Sequence, residues 1–247
     1  MFERIEGVII RTQDYGETHK IVTLFTKQLG KLALIARGSK KPKSRMASIT
    51  QMFIQGEYLV QLGRGLAVMQ QGEVINSHRK IREDIVQTAY ASYIAELTDK
   101  LMEEKKPNHL VYQQFVAALS GIVDQKDAAI LALIYELKLY KVAGFAPILS
   151  QCTSCQRQDQ LVGFSLSEAG LVCRFCAHKD SNAMLLNSTQ IKLIQLFDQT
   201  DLTRIANISV KEENKQVILR LLVAYYDQYG GLTIKSKRFL DQLDSLL

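Results

Sequence analysis

Tryptophan is missing from these 247 residues, and there are only three prolines and four cysteines. Without tryptophan, any base-stacking surface is limited to tyrosine and phenylalanine and is modest. No run of 18 apolar residues occurs, so nothing reads as a membrane-spanning helix. The start, Met1-Phe2-Glu3-Arg4, lacks a basic region followed by an apolar run, which reads as no secretory signal and a cytoplasmic protein. Catalytic signatures are equally scarce. There is no G-x-x-x-x-G-K-[ST], no G-x-G-x-x-G, no G-x-S-x-G and no H-E-x-x-H, and none of His19, His78, His109 and His178 stands in an H-x-E element. The paired carboxylates Glu103-Glu104 and Glu212-Glu213 sit near lysines and read as solvated helix surface. The expectation is a protein that is not an enzyme.

The most telling absence is local. Between Thr18 and Gly56 there is no Asp or Glu, while Lys20, Lys27, Lys31, Arg37, Lys40, Lys41, Lys43 and Arg45 all fall there. Residues 1–80 hold 13 Lys/Arg against 6 Asp/Glu, a net of +7; residues 81–247 hold 18 against 19, a net of −1. A charge excess confined to one end creates a local field that attracts a polyanion, whereas even spreading would mainly confer solubility. Nucleic acid is the expected polyanion, with Arg37, Lys40, Lys41, Lys43 and Arg45 as principal contacts and Arg11, Lys20 and Lys27 flanking them. The competing reading is a solvated charged loop. Stacking requires exposed aromatics. Tyr15, in the turn Asp14-Tyr15-Gly16, is the first choice, with Phe53, Tyr58 and, more weakly, Phe25 as strand candidates that could equally be core.

Hydrophobic periodicity divides the chain. Residues 1–80 read as five short strands, over Arg4–Arg11, His19–Thr26, Lys31–Arg37, Phe53–Leu62 and Leu66–Ile75, the last two joined around Gly63-Arg64-Gly65. Gly38–Gln51 is a long basic connection with one helical turn near Met46–Ile49. Such a barrel would be an OB-fold. Residues 81–149 turn helical, over Ile81–Met102, then from Asn108, then Asp127–Val142, whose near all-round apolar surface predicts a buried helix. Residues 150–180 form a cysteine module, and residues 181–247 hold further helices at Ser188–Phe197, Lys211–Tyr229 and Ser236–Leu246. The expected class is α+β multidomain: an N-terminal five-stranded OB-fold β-barrel, then an α-helical domain with an inserted four-cysteine zinc finger.

The cysteines form two C-x2-C pairs, Cys152/Cys155 and Cys173/Cys176, seventeen residues apart. Two such knuckles can present four thiolates tetrahedrally to one structural Zn2+ ion; disulfides, redox chemistry and free thiols are the weaker alternatives. The module reads as a staple more than as a DNA contact, although Arg157, Arg174 and Lys179 lie within it.

The run Glu6-Gly7-Val8-Ile9-Ile10-Arg11-Thr12-Gln13-Asp14-Tyr15-Gly16-Glu17 resembles the N-terminus of the RecO family of bacterial DNA repair proteins. The likeness continues through Lys20–Thr26, Gly30-Lys31, Ala36-Arg37-Gly38 and Lys43-Ser44-Arg45, and includes Phe164-Ser165 and Lys235-Ser236-Lys237-Arg238-Phe239-Leu240. His19 stands where that family has an acidic or small polar residue, and Gln156 and Ala169 where it often has glycine. The resemblance implies an OB-fold, a helical domain and a zinc finger. It also implies binding of single- and double-stranded DNA, annealing of complementary strands, and loading of the recombinase RecA onto DNA coated with single-stranded-DNA-binding protein. The implied partners are RecR and that coating protein, at the nucleoid. Without the resemblance, an OB-fold RNA-binding or translation-associated protein and a protein-assembly adaptor remain open.

Overall fold

The computed structural model describes residues 1–63 and 65–244, without the side chains of 241, 243 and 244. Arg64 in the expected hairpin turn and the end of the helix expected over Ser236–Leu246 lie outside the described residues. The chain forms two compact units, Met1–Ala128 with Ile234–Leu247, and Ala129–Thr233.

In the first unit, β1 (Phe2–Tyr15), β2 (His19–Thr26), β3 (Gly30–Ala36), β4 (Gln55–Gln61) and β5 (Ala67–Asn76) close a barrel in the order β1-β2-β3-β5-β4. β3 and β5 pair in parallel and the other pairs are antiparallel. Strand alternation turns Leu32, Leu34 and Ala36 inward to meet Ile5, Ile9, Val22, Leu24, Tyr58 and Val60. β1 runs well beyond the expected Arg4–Arg11. A bulge between Ile9 and Arg11 bends it, so that its first half pairs with β4 and its second half with β2. The basic connection carries α1 (Arg45–Ile49), started by the Ser44 hydroxyl, which accepts from the Met46 amide. The last residue of α1, Ile49, enters the barrel core.

Phe53 does not open a strand as expected. It takes a left-handed φ of 69°, donates its amide to Ile9 O at 2.9 Å, and its carbonyl meets Nδ1 of buried His78 at 2.7 Å. The single helix expected over Ile81–Met102 is two, α2 (Arg79–Glu83) and α3 (Ile85–Leu101). Asp84 breaks them with an extended backbone and caps α3, its carboxylate accepting from the Gln87 amide at 2.9 Å. α4 (His109–Val123) is capped by the Asn108 side chain. Its Tyr112 and Phe115 rings pack against Phe25, on the outer side of the barrel wall, at centroid distances of 5.7 and 5.8 Å.

In the second unit, α5 (Ala128–Ala143) buries every residue from Ala129 to Leu137, in keeping with its all-round apolar surface. β6 (Leu161–Ser165), β7 (Gly170–Cys173) and β8 (Met184–Leu185) form a three-stranded sheet in the order β7-β6-β8. α6 (Ser188–Gln199) begins with a reciprocal Asn187–Gln190 capping box. α7 (Glu212–Tyr229) brings Tyr225 and Tyr226 to within 5.9 Å of Tyr140. The chain then returns to the first unit with α8 (Lys235–Asp244). Among the described residues no helix is long and apolar enough to cross a membrane.

Candidate nucleic-acid interface and metal centre

The basic connection is anchored at its root and open at its tip. Gly38, at φ +69°, lets the chain leave β3 sharply, and its amide donates to His19 Nδ1 at 2.9 Å. The Lys40 amide donates to Thr18 O at 3.0 Å, and the buried Ser39 hydroxyl donates to Ala36 O. The first two bonds fasten the loop to the β1–β2 turn, beside which Tyr15 stands 49% exposed, and the third ties it to the end of β3. Lys40 Nζ sits 2.7 Å from Asp14 Oδ2, and this hydrogen bond holds the Asp14 carboxyl below its ordinary range. Beyond it Lys41, Pro42 and Lys43 are exposed, Lys43 at a left-handed φ of 59°, and Arg45 is exposed on α1. Among the described residues Arg37, Lys41, Lys43 and Arg45 have no ion-pair partner. Lys20, across the β1–β2 ladder from Asp14, borders the same end.

The flanking residues are placed differently. Arg11 Nη1 lies 3.0 Å from Asp99 Oδ2, and Lys31 Nζ lies 3.4 Å from the other oxygen of this carboxylate, which is only 9% exposed. Lys27 lies 3.9 Å from Glu6. Arg11 and Lys27 are therefore engaged within the unit. The strand aromatics are not available for stacking. Tyr58 and Phe53 are buried, and Phe25 is covered by α4. Tyr58 lies opposite Gly72 across the β4–β5 ladder, and its hydroxyl donates toward the carbonyls of Ile49 and Ile54. Of the aromatics weighed from sequence, Tyr15 alone reaches the surface. Lys138 and Lys141, at the edge of α5, both donate to Asp198 O in their own unit.

The four cysteines converge. The sulfurs of Cys152, Cys155, Cys173 and Cys176 lie within 4.8 Å of one another, and those of Cys155 and Cys173 are 3.6 Å apart. A disulfide needs about 2.05 Å. The edge of a four-thiolate zinc tetrahedron with bonds of about 2.3 Å is roughly 3.8 Å. Local turns make the convergence possible. Gln156 N donates to Cys152 O at 2.8 Å with Gln156 left-handed at φ 62°, and Cys176 N donates to Cys173 O at 3.0 Å. Ala169 is also left-handed, at φ 55°. Both residues thus hold a conformation that glycine adopts freely. Burial works to raise the Cys152 thiol, but backbone amides of Cys173, Cys155 and Ser154 outweigh it and bring it down to about 6. Burial, together with hydrogen bonds to the other three sulfurs, pushes Cys176 up to about 12. Sulfurs this close cannot all ionise unaided, and a divalent cation between them removes the conflict. The set can hold a metal ion and offers it only sulfur.

These features define a class: an OB-type barrel with a projecting basic loop, joined to helices and a four-cysteine metal module. Comparison with known proteins narrows it. The family model for the recombination protein O N terminus matches residues 1–78, and the model for its C terminus matches residues 82–238. A relative from Oceanobacillus iheyensis named DNA repair protein RecO is 52% identical over 244 residues, covering 99% of this chain and 95% of that protein. Proteins of the same name from Bacillus cytotoxicus (46% identical, 99% and 98% covered) and Halalkalibacterium halodurans (44% identical, 100% and 97% covered) are also similar. The chain belongs to the recombination protein O family.

Proposed function

We propose that this protein is a non-catalytic mediator of recombinational DNA repair in the bacterial cytoplasm. It binds single- and double-stranded DNA, anneals complementary strands, and with RecR helps load RecA onto DNA coated with single-stranded-DNA-binding protein. Residues 1–80 act as the nucleic-acid-binding domain. Residues 150–180 are a finger stapled by one structural Zn2+ on Cys152, Cys155, Cys173 and Cys176, set between the helical segments 81–149 and 181–247. The names of the relatives support the repair role.

The observation that carries DNA binding is the cluster of exposed cations at Arg37, Lys41, Lys43 and Arg45, free of carboxylate partners among the described residues and adjoining Lys20 and exposed Tyr15. Lysine and arginine that meet phosphates release condensed counterions, which gives sequence-independent affinity. Annealing follows from the same physics. Two phosphate backbones repel each other, and a basic surface that meets both lowers the barrier without making or breaking covalent bonds. Tyr15 offers one ring for a splayed base. Lys40 can join once phosphate competes with the exposed Asp14. Arg11 and Lys27 contribute mainly through the local field.

If five cations meet phosphates, log K for single strands falls with log[salt] at a slope of roughly −3.5. The double substitution Lys41→Glu and Lys43→Glu is expected to weaken single-strand binding at least tenfold, flatten that slope by about 1.4 or more, and slow annealing of coated and bare strands, with circular dichroism unchanged. Anisotropy titrations at several salt concentrations, with RNA of equal length as competitor, measure this. Unaltered affinity at low salt in the folded double variant would remove the loop from the interface.

A further inference from the structure

The metal knuckles display a surface that stapling does not require. Phe175 lies between the ligands Cys173 and Cys176, and its ring is 49% exposed. The guanidinium of Arg157 lies 4.9 Å from the ring centroid and that of Arg174 lies 4.6 Å from it. Arg157 comes from the first knuckle and Arg174 from the second, so the convergence of the cysteines assembles the group. Exposed His178 and Lys179 lie two and three residues after Cys176. Nearby acids offer little opposition. Asp159 touches Arg157 at 3.3 Å on an open surface, while Asp180 is occupied by the hydroxyls of Ser165 and Ser167 and the amide of Asn182. Arg174 has no carboxylate partner among the described residues.

A ring that only filled a staple would be stabler buried, and cation–π contacts at an exposed site add little. A guanidinium already lying on a ring has lost much of its freedom, yet its N–H edge can meet phosphate oxygens, directly at Arg174 and in competition with the exposed Asp159 at Arg157. Aromatic and guanidinium planes together suit an unpaired base, whose π-face carries no sequence requirement.

We propose that Phe175, flanked by Arg157 and Arg174, is a stacking platform for an unpaired base of single-stranded DNA, with Lys179 meeting an adjacent phosphate. This rests on the DNA-binding reading and adds a contact within the second unit. Duplex DNA, whose bases are already stacked, gains nothing from it. The competing role is charge balance: four thiolates around a divalent cation carry −2, which two arginines would offset.

The test uses the full-length, zinc-loaded protein and a single-stranded oligonucleotide containing 2-aminopurine, with a duplex of the same sequence as control. Phe175→Ala is expected to weaken single-strand affinity about fivefold or more, leave duplex affinity unchanged, and abolish the 2-aminopurine fluorescence change on binding. Phe175→Tyr is expected to restore all three, and zinc content is expected to be equal in every protein. Arg157→Ala with Arg174→Ala separates the two roles. Faster zinc loss with unchanged single-strand affinity would assign the arginines to charge balance and overturn the platform. Wild-type binding matched by fully zinc-loaded Phe175→Ala overturns this inference alone, and wild-type protein that binds no DNA overturns the DNA-binding reading as well.

Discussion

Arg11 and Lys41 carry the same charge, but their surroundings give them different roles. Arg11 shares Asp99 with Lys31, and that carboxylate is 9% exposed, so removing Arg11 leaves a buried anion with one partner instead of two. Lys41 projects into solvent. Arg11→Ala is therefore expected to cost about 1 kcal/mol of stability, a value discounted because the arginine itself is half exposed. Lys41→Ala is expected to leave the urea midpoint unchanged while weakening DNA binding. Equal midpoints for the two variants would show that Asp99 does not depend on Arg11. A charge count along the chain cannot anticipate this, because Asp99 reaches Arg11 from α3. The same limit applies to the aromatics. Tyr58 and Tyr15 both read as possible stacking residues, but Tyr58 faces Gly72 across the ladder and fills the space left by the absent side chain. The exposure of Tyr15 was legible although its place was not: the expected turn residue is the last of β1, paired with His19 at an end of the ladder where no core reaches it.

α8 illustrates what holds an element that its own sequence does not secure. Glu96 of α3 accepts from the Lys235 amide at 3.0 Å, the Ser236 amide at 2.8 Å and the Ser236 hydroxyl at 2.7 Å, serving as a cap supplied from a distant helix. Burial works to raise its carboxyl, but these bonds and nearby Lys100 prevail and hold it below the ordinary glutamate range. As pH falls, the unfolded glutamate takes up its proton before the folded one. The stability Glu96 lends is thus complete above the ordinary range and is lost as pH drops through the lowered value. Glu96→Gln is expected to lower stability by on the order of 1 kcal/mol at pH 7, a gap that closes in strong acid, and to speed amide exchange across residues 235–244. A constant gap at all pH values would assign the cost to packing instead. Most strands and helices were legible from their periodicity. The break at Asp84 was not, since apolar spacing runs on through Ile81 and Ile85 and conceals a capping carboxylate between them. The start of α8 was readable, but its tertiary cap was not.

The charge excess and the four-cysteine site fall in different units. The first holds 21 Lys/Arg against 16 Asp/Glu, a net of +5, and the second holds 10 against 9, a net of +1. Their means of closure differ: the barrel closes on itself with no free edge, whereas the knuckles beside the β6–β7 hairpin gather four sulfurs that repel when ionised and could hold a metal ion. The spacing of the cysteines made their convergence readable, and the clustering of lysines made the charge excess readable. The division of the chain was harder to see, because residues 234–247 belong with the first unit although they follow the second. Withdrawing the metal with a chelator is therefore expected to act on one unit first. Amide protection should fall across residues 150–180 and remain across residues 1–76, and single-strand affinity should drop by less than the charge reversal at Lys41 and Lys43 produces, since the basic loop is left intact. Hydrogen exchange and anisotropy on the same metal-free sample measure both. Loss of protection throughout the barrel on chelation would mean that the metal secures the whole fold, and that closure of the barrel does not suffice to keep the basic loop in place.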